Sequence, residues 1–497
     1  MNNKETLLGI RRGIEKESQR ALPGGGLALT PHPVALGAAL THPHITTDYS
    51  ESQLELITGV QAGVEEVLTE LTEIHQAVYR ALADERLWVG SMPCGLPTDE
   101  TIPIGRYGSS NVGRAKSVYR MGLGQRYGRR MQTISGIHYN WSIPGVGTDG
   151  YLGVIRNFRR EGWLLLYLFG ASPALCQSFV AGREHDLERL SASTLYLPHA
   201  TSLRMGRLGY QSDAQASIAV SYNCLESYAA SLQGALTTPY PAYEAIGVQT
   251  PGGDYNQLST SLLQIENEFY STIRAKRVIR SGERPLHALR ERGVEYIEVR
   301  LMDLDPFEPV GIGADTIRVL DAFLLHCLAS DSPNDTPAEI ASNARNQHAV
   351  AARGREPGLM LEHWQGGQRS LADWARDIMV SCAEQADALD AAHGGRAYRD
   401  ALDRVAQRLA HPELCPSARM LAAMREGFDN SYVGFVRHQS DLTREALLGL
   451  PYPAALQQRF EQMAAQSLAE QARIEAADTL DFETFRRHYV SPERMAV

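Results

Sequence analysis

The chain has 497 residues, 43% of them hydrophobic and 21% charged, an ordinary globular composition with length enough for a large core. Its formal net charge of −10 and pI near 5.9 exclude a generic nucleic-acid binder, since a phosphate backbone would be repelled by the protein's long-range field. Six cysteines at 94, 176, 224, 327, 382 and 415 show no C-x-x-C spacing, so neither a zinc cage nor a dense disulfide framework is indicated, and reduced, mostly buried thiols are expected.

The amino terminus runs directly into charged sequence without the apolar core of a secretory signal. The most apolar stretch, Trp163 to Cys176, is broken by Pro173 and is too short to cross a bilayer. A cytoplasmic protein with no membrane partner is expected.

In chain order, the first informative segment is Ile10 to Glu17. Glu15 and Glu17 stand two apart and share one face of a strand, where two carboxylates repel unless a cation sits between them. Leu54-Glu-Leu-Ile57 sets Glu55 opposite two leucines, with Asp48 just upstream: an apolar back and an acidic front.

From Thr101 to Asn140 there is no Asp or Glu, yet Arg106, Arg114, Lys116, Arg120, Arg126, Arg129 and Arg130 occur, a local reversal suited to an anionic ligand. Gly108 to Arg114 is not a P-loop, because Arg114 and Ala115 stand where Lys and Ser/Thr are required. The same arginines also read as a solvated face.

Gly136 to Ile143 alternates cleanly, with His138, Asn140 and Ser142 on one face and Ile137, Tyr139, Trp141 and Ile143 on the other. Further on, Arg274, Lys276, Arg277 and Arg280 form a second basic run that would clamp a triphosphate and equally reads as a surface charge run. In Glu295 to Leu301, Tyr296, Glu298 and Arg300 share one face.

Four alternating segments together describe a sheet with an apolar face against helices and a face of Glu, Asp, His, Asn and Arg. Such oxygen-rich ligation suits Mg²⁺ or Mn²⁺ better than zinc. Taken singly, each segment also reads as an ordinary half-solvated antiparallel strand.

Beyond residue 312 the pattern becomes helical, in Thr316 to Ala329, Leu371 to Ala392, Arg396 to Ala410 and Ala454 to Ala477, with Gly394-Gly395 as a helix stop. The expected fold class is α+β, with a sheet-containing catalytic region at 1–311 and a helical region at 312–497 packed on it as one integrated domain.

Long runs then bring a family into view. They are Gly13-Ile-Glu-Lys-Glu17, Ile45-Thr-Thr-Asp48, Ser91-Met-Pro-Cys94, Tyr107-Gly-Ser-Ser-Asn111, Met131 to Asn140, Tyr167 to Ala174, Ala200 to Arg204, Leu263 to Glu268 and Gly293 to Arg300. In this order they resemble the proteobacterial type of glutamate-cysteine ligase across nearly the whole chain.

The resemblance implies a fold related to glutamine synthetase, with a curved, largely antiparallel sheet. It further implies ATP-dependent joining of the L-glutamate γ-carboxylate to the amino group of L-cysteine through γ-glutamyl phosphate, the first step of glutathione biosynthesis. Glu15, Glu17, Asp48, Glu55, His138 and Glu298 match the family's metal positions, and Arg300 a phosphate-contacting arginine. Tyr119, Leu123, Gln132, Arg204, Tyr210 and Tyr270 match its amino-acid pocket.

Tyr49 stands where the family pattern has a Phe bordering the cysteine pocket, His199 replaces a Tyr, and the loop after Trp141 is shorter, with Gly145 to Gly153 as the connection. Mg²⁺ (or Mn²⁺) and ATP are the expected cofactor and co-substrate, Lys276, Arg277 and Arg280 the expected ATP contacts, glutathione a feedback inhibitor, and the protein a monomer. Three other readings remain at this point: a ligase with a different amine acceptor, a glycosidase using paired carboxylates, and a non-catalytic metal or nucleotide binder.

Overall fold

The computed structural model describes residues 3–208, 213–216, 218–280 and 282–495. Its centre is a seven-stranded sheet built from the alternating segments: β1 Arg11–Ala21, β2 Ile45–Thr47, β3 Gln53–Ile57, β4 Arg86–Leu87, β5 Ile137–Ser142, β6 Ile273–Lys276 and β7 Tyr296–Met302. The strands lie in the order β2-β3-β1-β5-β7-β6, every pair antiparallel, and β4 pairs with the end of β1. The four alternating segments are thus consecutive neighbours, β3-β1-β5-β7.

One face of this sheet is apolar. Leu54 and Leu56 of β3, Ile137, Tyr139 and Trp141 of β5, and Ile297, Val299 and Leu301 of β7 are buried in a single core. Fully burying a side chain of this kind contributes about 1.5–3 kcal/mol. Of the helices α1 Val64–Ala81, α2 Asn111–Tyr127, α3 Thr148–Glu161 and α4 Ala314–Ala329, that core is shared with α1, α3 and α4, while α2 reaches the polar side, where its Arg120 donates to the Asp48 carbonyl.

β1 departs from the expected apolar back. Its rear-facing residues are Arg12, Ile14, Lys16, Ser18 and Arg20, all buried. Arg12 donates through Nη2 to Asp321 Oδ2 of α4 at 2.6 Å, and Tyr139 donates to Asp321 Oδ1 at 2.7 Å. Lys16 Nζ lies 2.8 Å from His75 Nε2 of α1, and burial pushes its ammonium down to about 7. A buried charge is tolerated only where such partners exist.

The helical third contains all four anticipated helices, among them α4, α5 Leu371–His393 and α6 Ala397–Ala410. Ser370 caps α5 by accepting from the Asp373 amide, and Gly394 ends it at φ +86°, in the left-handed region glycine adopts without strain. Periodicity did not signal the helix Pro337–Arg353 or the hairpin Met360–Glu362 with Gln368–Ser370. After Trp141 the connection is shorter than Gly145 to Gly153, because α3 already begins at Thr148.

The cysteine expectation is corrected. Cys94 and Cys176 form a disulfide with Cα atoms 5.3 Å apart, joining the loop after β4 to the short strand Ala174–Cys176. Their sequence separation of 82 leaves no local spacing to read. Cys224, Cys327, Cys382 and Cys415 are free. Among the described residues, no helix is long and apolar enough to cross a membrane.

Candidate functional site

Strand register assembles the acidic face. Glu15 of β1 lies opposite His138 of β5, Glu17 opposite Glu55 of β3, and Glu298 of β7 opposite Asn140. Directly opposed side chains in antiparallel strands are close neighbours, so Glu17 and Glu55 repel across the ladder. Asp48 joins them from the turn after β2.

His138 is the hub of the cluster. Its Nδ1 lies 3.0 Å from Glu15 Oε2 and 3.7 Å from Glu298 Oε1, and its Nε2 lies 3.4 Å from Glu17 Oε1. Asn140 donates to Glu15 Oε1 at 2.9 Å, and the Gly136 amide donates to Glu17 Oε2 at 2.7 Å.

The carboxylates divide electrostatically. Burial and the Asp48 charge push Glu17 up to about 8 despite Arg204 and Arg300. Burial, with Asp48, Glu15 and Glu17, raises Glu55 well above the carboxylate range. Burial also opposes ionisation of Glu298, but Lys276, Arg300, His138 and Arg274 together hold it well below that range. Glu17 and Glu55 therefore form the half of the site in which nearby arginines do not offset burial and like-charge repulsion.

Two ligand groupings fit a cation there. Glu15, Glu55 and His138 can each present one donor atom with all three within 4.8 Å of one another, and Glu17, Asp48 and Glu55 do the same. Glu298 Oε2 and Asn140 Oδ1 are buried without a hydrogen-bond partner among the described residues. Oxygen donors with one imidazole, unmet carboxylate charge and buried orphan acceptors match a hard divalent ion.

On the β7 side of the cluster, pairing with β5 shifts between Val299 and Met302, a bulge that places Arg300 on the irregular turn of the strand. Arg300 Nη1 lies 3.1 Å from Glu298 Oε1 and 3.4 Å from His138 Nδ1. Lys276 of β6 reaches Glu298 Oε1 at 3.3 Å. Arg277 and Arg280 follow beyond the strand end, where Arg277 donates to the Gly293 carbonyl at 2.6 Å and Arg280 pairs with Glu291 at 3.5 Å.

The wall facing the cluster comes from α2 and two loops. Tyr119, Leu123 and Gln132 are positioned by α2 and the short helical turn Met131–Thr133. Gln132 donates to the Tyr270 hydroxyl at 2.8 Å. Tyr49 is buried, and its hydroxyl has no hydrogen-bond partner among the described residues. Arg204 is buried under Gly136, donates to the Arg300 carbonyl at 2.9 Å, and lies 3.7 Å from Asp303. Tyr210 lies outside the described residues.

The basic run on and after α2 is largely bonded within the protein. Arg126 pairs with Glu268 at 2.8 Å, Arg130 with Asp99 at 2.6 Å, Arg120 donates to the Asp48 carbonyl, and Arg114 stacks on Phe482. Its arginines brace loops around the site.

Sequence reasoning missed Asn140 as a partner of Glu15, although its place in the alternation pointed to it. It also missed Asp303, which accepts from Ser172 at 2.7 Å and Ser202 at 2.9 Å and so fixes the turn carrying Arg204. Nothing local in the sequence signals that residue.

The glutamate-cysteine ligase family model matches residues 1–350. The chain belongs to the glutamate-cysteine ligase family. The ligase of Alcanivorax borkumensis is 48% identical, over 97% of this chain and 96% of its own, and that of Pseudomonas paraeruginosa is 50% identical, over 96% and 93%. The crystal structure of the Francisella tularensis glutamate-cysteine ligase in complex with AMP superposes with a TM-score of 0.92 at 35% identity, covering 97% of both chains. A bifunctional glutathione synthetase from Pasteurella multocida shares the fold at a TM-score of 0.73 and 24% identity, over 93% of this chain and 57% of its own. This enzyme is a ligase.

Proposed function

We propose that the acidic face and its flanking cations carry out the ATP-dependent ligation of L-glutamate to L-cysteine. The enzyme joins the glutamate γ-carboxylate to the cysteine amino group, giving γ-glutamylcysteine, ADP and phosphate in glutathione biosynthesis. An amine cannot displace oxide from a carboxylate, so ATP first converts that group to γ-glutamyl phosphate. The amine then attacks the acyl carbon and phosphate leaves.

The observation that carries the site assignment is the register that brings Glu15, Glu17, Glu55, His138 and Glu298 together, with Arg300 beside them. On this reading, Glu15, Glu17, Asp48, Glu55, His138 and Glu298 hold Mg²⁺, which when bound supplies charge neutralisation between the ATP phosphates and the glutamate γ-carboxylate. Mn²⁺ would fit the same donors.

Arg300 neutralises equatorial oxygens of the transferred phosphoryl group from its place on the bulge. Lys276, with Arg277 and Arg280 beyond it, is assigned to the ATP phosphates. Arg204 and Gln132 line the amino-acid pocket with Tyr119, Leu123 and Tyr210, while Tyr270 and Tyr49 border the amine acceptor. Holding the acceptor against the acyl carbon supplies the orientation that a bimolecular reaction lacks.

We further assign the enzyme to the cytoplasm as a monomer, with glutathione as its feedback inhibitor. A coupled ADP-release assay omitting glutamate, cysteine, ATP and Mg²⁺ in turn tests the reading. ADP release that persists without glutamate or Mg²⁺ would sink it. Comparison of cysteine with 2-aminobutyrate and glycine defines the acceptor.

A further inference from the structure

Glu268 ends the short helical turn Glu266–Glu268 and is buried. Its Oε1 accepts from Arg126 Nη1 at 2.8 Å and from the Tyr127 hydroxyl at 2.6 Å, and its Oε2 accepts from the Gln264 amide at 2.7 Å. Both carboxylate oxygens are therefore taken up by the protein.

The partners of Glu268 converge on Tyr270. Gln215 donates through Nε2 to the Glu268 carbonyl at 2.9 Å and to the Tyr127 hydroxyl at 3.1 Å, and its Oε1 accepts from the Tyr270 amide at 2.9 Å. The Tyr127 ring meets the Tyr270 ring edge-on, with centroids 5.7 Å apart. Tyr270 is thereby held at its backbone and at one ring edge by groups that Glu268 itself fixes.

The other end of each contact is equally defined. Arg126 and Tyr127 form the last turn of α2, the helix that presents Leu123 one turn and Tyr119 two turns earlier. Arg126 also donates to the Ser259 carbonyl at 2.6 Å and to Gln257 Oε1 at 3.0 Å, and it lies over the Tyr243 ring at 4.0 Å. Glu268 thus ties the α2 wall of the pocket to the loop wall carrying Tyr270.

We infer that Glu268 is a positioning residue for the amine acceptor, setting the separation of α2 and Tyr270 across the pocket through Arg126, Tyr127 and Gln215. The inference rests on the reading of Tyr270 as a residue of the acceptor pocket. Because its oxygens are occupied, Glu268 touches no substrate and acts only through these neighbours. Glu268→Gln keeps the shape but turns an amide N–H₂ toward groups that are themselves donors, so at least one buried donor loses its acceptor. The walls then move relative to each other, and the acceptor is held less well than glutamate or ATP.

The test is steady-state kinetics of the full-length enzyme with each substrate varied, for the wild type, E268Q, Y127F, Y270F and the E268Q/Y270F double variant. E268Q is expected to raise the KM for cysteine roughly tenfold, the scale of one unmet buried donor, with the KM values for glutamate and ATP within about twofold. Y127F is expected to give a smaller rise in the same constant. In the double variant the two effects should fail to multiply, since one acts through the other.

A uniform change in all three KM values, or full multiplication in the double variant, overturns the inference in favour of a purely structural role. If E268Q does not fold, the split between substrates in Y127F decides the matter alone. An unchanged cysteine KM in Y270F would instead overturn the reading of Tyr270, which separates that failure from a failure of Glu268.

Discussion

The guanidinium of Arg204 occupies the space into which a side chain at Gly136 would project: a Cβ there would overlap its Nη2, Cζ and Nε atoms. Gly136 is the residue before β5, and its amide also donates to Glu17. Absence of a side chain at one position thus lets a buried cation pass beneath the acidic cluster.

Gly136→Ala should therefore displace Arg204. The guanidinium is buried and held by the Arg300 carbonyl, so it has little room to yield. We expect the KM for glutamate to rise by roughly tenfold or more, with a modest loss of stability of about 1–3 kcal/mol from the overpacked site. Glutamate titration followed by intrinsic fluorescence would check this; unchanged glutamate binding would remove Arg204 from the pocket.

Proton release should accompany Mg²⁺ binding. Glu17 is pushed up to about 8, and Glu55 is raised in the same direction. Near pH 7 the metal-free site therefore holds protons that a cation must expel, and Mg²⁺ affinity should increase as pH rises toward about 8. Calorimetry in two buffers of different ionisation enthalpy measures the protons released, and a value of zero would contradict the assignment.

The sign of the stability effect follows from the same groups. A carboxyl whose folded pKa lies above its unfolded value keeps a proton that the unfolded chain gives up. The metal-free protein should lose stability as pH rises from about 4.5 toward 8, and Mg²⁺ should raise Tm more at pH 8 than at pH 6. Glu15 and Glu298 are shifted downward and act in the opposite sense, in a separate window below about 4.5.

The polar face was legible because strand alternation depends only on local period. Glu15, Glu17, Glu55, His138 and Glu298 could each be placed on a face from two-residue spacing, and the register joined them. The rear of β1 was not legible: Arg12 and Lys16 interrupt the apolar pattern, and their partners Asp321 and His75 lie 309 and 59 residues away. The bulge at Arg300 was hidden for a related reason. A bulge is a property of two strands, and β7 shows unbroken alternation when read alone.

Asp321 supplies a test of the buried ion pair beneath the sheet. Its carboxylate receives Arg12 and Tyr139, linking β1 and β5 to α4. Asp321→Ala leaves the Arg12 charge buried and uncompensated, which should cost about 3–5 kcal/mol in urea unfolding. The double variant Arg12→Met with Asp321→Ala should recover much of that loss. Equal stability of the single and double variants would show that the charge is relieved by water or by movement of α4.

Arg300 gives the sharpest test of the chemistry. It stands 3.1 Å from Glu298 and 3.4 Å from His138, where the pairing of β7 with β5 shifts register. If it acts on charge that develops during phosphoryl transfer, Arg300→Ala should lower kcat by about 10²–10³-fold while the KM values for glutamate and cysteine change little. Arg300→Lys keeps the charge but loses the planar fork, so it should recover only part of the rate. Single-turnover formation of γ-glutamyl phosphate, trapped with hydroxylamine, would place the defect. Slow phosphoryl transfer supports the role, whereas normal trapping with slow release of γ-glutamylcysteine would move Arg300 to the second step.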